Sequence, residues 1–106
     1  MTLEVYRLTS KFPSDERFGL TSQLRRAIVS VPTNIAEGSK RLTKADYARF
    51  LNIAEGSLAE SEYLLLLSRD LGYLAAEVCT RTLADISEIA RMLYALRSKV
   101  EAVASS

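Results

Sequence analysis

Two copies of one hexapeptide hold the side chains best suited to chemistry: Asn34-Ile35-Ala36-Glu37-Gly38-Ser39 recurs letter for letter as Asn52-Ile53-Ala54-Glu55-Gly56-Ser57. Each copy sets an amide three residues before a carboxylate. On a helix that spacing brings both to one face, where Asn34, Glu37, Asn52 and Glu55 could hold a polar ligand together. Glu37, Glu55, Glu60 and Glu62 could also offer oxygen ligands to a cation. The sequence contains no His. Its absence excludes His-based triads, Cys/His zinc sites and Glu-x-x-His di-metal bundles, and leaves a carboxylate-only site without the usual imidazole ligands. No metal and no cofactor is therefore expected.

Nucleophiles fare no better. Ser39, Ser57 and Ser68 have no base to activate them, and the single Cys79 can form no intrachain disulfide and has no His beside it. It reads as a half-buried structural thiol. Glu60 and Glu62 stand two apart on a helix and diverge, so they do not form an acid/base pair. The four Gly residues are isolated and build no phosphate-cradling loop. No catalytic residue emerges.

Charge offers a different kind of site. The net charge is +1, yet residues 1–50 carry nine Lys/Arg against five acids, and residues 51–106 carry five against eight. Arg25-Arg26 and the cluster Lys40, Arg41 and Lys44 are the candidate nucleic-acid contacts on the basic half. The alternative is a set of solvated faces, with Lys40, Arg41 and Lys44 answering the negative end of a helix dipole. Aromatic interleaving suited to single strands is thin, because Tyr47 and Phe50 fall on a core stripe.

The elements that must position these residues are helical. The chain has 106 residues, 48% of them hydrophobic, with only four Gly and two Pro. That composition suits one domain, residues 1–106, with long helices and a single core. A short first helix is predicted from Thr2 to Lys11, with Leu3 and Tyr6 inward and Val5 and Leu8 as further inward candidates, stopped by Phe12-Pro13. Ser14 to Arg17 reads as a capped single turn. A second helix, capped by Thr21 or Ser22, runs to about Arg41 on the stripe Leu24, Ala27, Ile28, Val31 and Ile35. Pro32 interrupts it and predicts a kink, with a break as the alternative. Thr43-Lys44-Ala45-Asp46 opens a third helix that ends at Gly72. A fourth runs from after Tyr73 to about Val103, with Ile86, Ile89, Ala90, Leu93, Leu96, Val100 and Val103 inward. Short loops make sequential neighbours antiparallel, giving an all-α, up-down four-helix bundle.

The hexapeptides lie on the two arms of one helical hairpin that turns near Leu42-Thr43. An antiparallel pairing about that point sets Asn34 near Asn52, Gly38 near Ala48 and Gly56 near Ser30, and brings Glu37 toward Arg49 and Glu60 toward Arg26. Gly38 and Gly56 then read as points of close helix approach.

The ordered series Tyr6-Arg7-Leu8, Phe12-Pro13, Glu16-Arg17-Phe18-Gly19-Leu20-Thr21-Ser22-Gln23-Leu24-Arg25-Arg26-Ala27, Ser30-Val31-Pro32, Asn34-Ile35-Ala36-Glu37-Gly38 and Phe50-Leu51-Asn52-Ile53-Ala54-Glu55-Gly56-Ser57 closely resembles the four-helix-bundle family of proteins encoded in intervening sequences of 23S ribosomal RNA genes. The resemblance implies a ring-like homopentamer with no established enzymatic activity. It extends to the accessory variability determinant proteins of diversity-generating retroelements, which work with a reverse transcriptase and nucleic acid. Arg25 and Arg26 are the positions it marks as nucleic-acid contacts.

The long apolar faces independently predict self-association, since a short first helix cannot cover them. The expected function is a non-catalytic homo-oligomeric scaffold or adaptor, possible partners being RNA, DNA or an unidentified protein. The alternative is a nucleic-acid-binding accessory protein. With no membrane segment and no signal peptide in the pattern, the expected place is the cytoplasm.

Overall fold

Apolar residues recurring at steps of three and four form helical stripes, and where no strand is present they are buried by packing helix on helix. The computed structural model, which describes residues 1–106, takes that route. Its elements are α1 (Thr2–Thr9), a single 3-10 turn (Ser14–Glu16), α2 (Leu20–Ser39), α3 (Lys44–Asp70) and α4 (Ala76–Ser105), with no strand. The chain is an all-α four-helix bundle, elongated at 49 × 24 × 17 Å.

The ends of α3 show sequence acting directly on structure. The Thr43 hydroxyl accepts the Asp46 N–H at 3.1 Å, which is half of a capping box. Asp46 does not reciprocate. Its carboxylate turns to Arg49 Nη2 at 2.9 Å and lies 3.9 Å from Arg41 Nε. At the other end Gly72 takes φ +82°, the Tyr73 N–H reaches the Ser68 carbonyl at 2.9 Å, and the Gly72 N–H reaches that of Arg69 at 3.0 Å. This is a Schellman stop, and its left-handed position favours glycine.

α2 begins differently from expectation. Neither Thr21 nor Ser22 caps it; Gly19 stands at the cap, and the Glu16 carboxylate accepts the Leu20 N–H at 3.2 Å instead. The 3-10 turn likewise lacks a side-chain cap. α2 continues unbroken through Pro32. Near the missing proline N–H, the Thr33 hydroxyl donates to the Val29 carbonyl at 2.7 Å and the Asn34 amide to that of Ser30 at 2.8 Å.

The contacts between arms run in opposite senses. The Ser30 hydroxyl of α2 meets that of Ser57 on α3 at 2.8 Å, while Gly38 packs on Tyr47 and Phe50. Likewise Arg97 of α4 pairs with Glu55 of α3, and Cys79 Sγ lies 3.7 Å from the Leu65 carbonyl. Leu24, Ile28, Leu51, Leu58, Leu65 and Ile86 are fully enclosed between these helices. Ser61, Ser68 and Thr82 are buried with them, each donating to the carbonyl four residues back. Cys79 is fully buried rather than half-buried, and burial pushes its thiol pKa up, which keeps it inert.

α1 turns only part of its expected face inward. Val5 and Thr9 face the core and Leu8 packs against it, while Leu3 is 79% exposed and Tyr6 only partly covered. Eight residues span about 12 Å and the thirty of α4 about 45 Å. Met1 therefore stops beside Ile89, and past it the groove between α2 and α4 lies open. Leu96 and Val103, expected inward, are exposed there with Met92, because no helix remains to cover that flank; Ala90, also expected inward, is exposed on the other side of α4, beside Glu55, Ala59 and Glu62 of α3.

Candidate functional site

The turn Arg17-Phe18-Gly19 joins the 3-10 turn to α2 and stands beside α1. Together they shape a cleft of about 420 Å³ lined by Tyr6, Arg17, Phe18, Thr21, Ser22, Arg25 and Arg26. Arg25 is held from below: its Nε donates to the Thr9 hydroxyl at 2.8 Å, its Nη2 to the Tyr6 carbonyl at 3.2 Å, and its guanidinium carbon lies 4.5 Å from the centre of the Tyr6 ring. The Arg17 guanidinium similarly lies 5.4 Å from the Phe18 ring centre.

No carboxylate neutralises these groups. The ion pairs of the chain involve Arg41, Arg49, Arg69 and Arg97, and none reaches this cleft. Glu16, the nearest acid in α2's approach, is occupied by the Leu20 N–H and the Tyr73 hydroxyl. Three guanidiniums without counter-charge and two aromatic rings give the cleft chemistry that suits an anion and a flat apolar group.

The second basic cluster is separate. From Arg26 to Lys40 is fourteen residues of helix, roughly 21 Å, so Lys40, Arg41 and Lys44 sit at the opposite end of α2. Arg41 stays exposed but leans over Phe50, its guanidinium 4.5 Å from that ring centre and near Asp46. Lys40 and Lys44 remain exposed without an ion pair.

The repeated hexapeptide does not assemble the polar site its composition allowed. Asn34 turns back along its own helix, donating to the Ser30 carbonyl and, at 2.9 Å, to the Ser30 hydroxyl, and does not bond Asn52. Arg49 pairs with Asp46 rather than Glu37. Glu60 and Arg26 form no ion pair. Glu55 is bound by Arg97, which also donates to Glu101 at 2.6 Å. Asn52 lines a shallow polar cleft of about 390 Å³ beside that network, with Arg49 and Arg97. The two glycines also part ways: a β-carbon on Gly38 would meet Phe50, whereas one on Gly56 would meet nothing within 4 Å. Gly56 is thus no point of close approach within the chain. No group of three or more His, Cys, Asp or Glu side chains is gathered in ligating positions.

Sequence reasoning named Arg25 and Arg26 but not Arg17, Phe18 or Tyr6 as members of the cleft. The available signal was Phe18 itself, an aromatic residue in a turn, outside every helical stripe. No helix is long and apolar enough to cross a membrane.

Comparison with known proteins gives three findings. The family model described as 23S rRNA-intervening sequence protein matches residues 1–95. A crystal structure of a protein of unknown function from the S23 ribosomal protein family of Bacteroides thetaiotaomicron superposes with a TM-score of 0.79 at 26% identity, covering 91% of this chain and 87% of that one. No curated protein matches. Neither of the two matching descriptions names a reaction.

Proposed function

The chain belongs to the family of 23S rRNA-intervening sequence proteins, and on that premise we propose that it works by binding: a non-catalytic protein that grips the phosphate backbone of nucleic acid at Arg17, Arg25 and Arg26. The observation that carries this reading is that these guanidiniums share a cleft with no carboxylate partner. Phosphate oxygens are the anions that such a fork-shaped donor set recognises best.

Salt dependence tests the proposal. Binding to mixed-sequence RNA and DNA should weaken linearly on a log–log plot against salt, by about 0.7–0.9 in slope per phosphate contacted. Arg26→Ala should reduce that slope by about one contact. No binding at low salt would remove the reading.

A second reading rests on the open groove. Ile35, Ile89, Met92 and Leu96 line a flank that α1 is too short to cover, and a self-associating scaffold would bury it. A ring of five is the closed form implied by the resemblance. Mass measured by light scattering, with and without nuclease, is the test. A multi-chain mass that survives nuclease supports the scaffold, and a folded monomer at high concentration dismisses it.

A further inference from the structure

Phe18 is 88% exposed, the most exposed aromatic side chain of the protein. It belongs to no helical stripe and contributes nothing to the core. Its position is nevertheless defined, because Gly19 and the Glu16 carboxylate fix the start of α2 immediately after it. On one side lies Arg17, and across the cleft Arg25 is stacked on Tyr6.

An exposed ring beside free guanidiniums is the arrangement that single-stranded nucleic acid uses: phosphates track the cations while an unpaired base lies on the ring. A duplex offers phosphates too, but its base faces are already stacked on one another. We infer that the occupant of this cleft is a single strand, with one unpaired base stacked on Phe18 and the flanking phosphates on Arg17 and Arg26. This rests on the proposal that the cleft binds nucleic acid and adds which form it binds and by which side chain.

Three probes separate the two ideas: a labelled oligothymidylate, a mixed-sequence duplex of equal length, and inorganic polyphosphate, which has charge and no base. Fluorescence anisotropy at low salt should rank the single strand first. Phe18→Ala should weaken the single strand by roughly five- to a hundred-fold and leave the duplex and polyphosphate unchanged. Arg26→Ala should weaken all three.

Because the chain contains no Trp, Phe18→Trp supplies a unique reporter. Its emission should be quenched by the single strand and not by polyphosphate. If the probes bind but Phe18→Ala affects them all equally, or none, or if the tryptophan is not quenched, the stacking inference is overturned while the phosphate reading stands. If no probe binds, both fall. Helicity by circular dichroism checks that the exposed substitutions leave the fold intact.

Discussion

Gly38 of α2 and Phe50 of α3 stand so close that a β-carbon on the glycine would lie 2.6 Å from that of the phenylalanine, and 3.0 Å from the Tyr47 ring. The obstacle is a Cβ fixed to the backbone of α3, not the far end of a flexible side chain. Relief requires the two helices to separate, which opens the packing between them.

That contact sets up opposite outcomes at two glycines in identical hexapeptides. Gly38→Ala should destabilise the protein by about 1–3 kcal/mol, the usual range for overpacking. Gly56→Ala meets open space and should stabilise it by up to about 1 kcal/mol, the helix-propensity difference. Urea unfolding of both variants measures the contrast. A loss at Gly56 would mean that another chain packs against it.

The sequence made the pairing of these arms legible to within a residue or two. It placed Gly56 opposite Ser30, where the structure bonds Ser57 to Ser30, and Gly38 opposite Ala48, where Tyr47 and Phe50 stand. A long amphipathic stripe fixes register because slipping it exposes many apolar groups at once. α1 has only two turns, so few contacts oppose its rotation, and Leu3 emerged outward instead of inward. Phe18 was invisible to periodicity because it lies in a turn, where no repeat governs orientation. Arg97 and Glu55 are separated by 42 residues, and their pairing depends on how α4 is rotated against α3, which local spacing does not determine.

Tyr73 sits after the Schellman stop, its hydroxyl donating to Glu16 Oε2 at 3.0 Å. The hydrogen bond to that carboxylate, together with burial and the negative charges of Glu16 and Asp15, raises the phenol pKa above its ordinary value. A folded value above the unfolded one means that the neutral phenol's contribution is complete below the ordinary tyrosine range, about pH 10, and is lost as pH rises through the folded value. Tyr73→Phe should therefore be less stable than wild type at neutral pH, with the gap closing in alkali. Its tyrosinate absorbance titration should also lose amplitude at the alkaline end. Amplitude lost instead within the ordinary tyrosine range would refute the contact.

Arg97 reaches from α4 to Glu55 on α3 and to Glu101 on its own helix, and these hydrogen bonds raise its already high pKa further. The side chains of Arg97 and Glu55 are only about one-fifth exposed, at 20% and 21%, so water compensates poorly if one is removed. Arg97→Met should leave the Glu55 carboxylate facing a partly dry seam and lower the urea midpoint at neutral pH. Lowering the pH through the carboxylate range should restore stability to this variant, because protonation discharges the unpaired group and the folded state then binds more protons than the unfolded one. Replacing both partners, as in Arg97→Met with Glu55→Leu, should recover much of the loss, since an apolar pair leaves no buried charge unmatched. A double variant no more stable than Arg97→Met alone would assign the damage to the lost contact of the guanidinium with Tyr94, whose ring centre lies 5.4 Å from the guanidinium carbon.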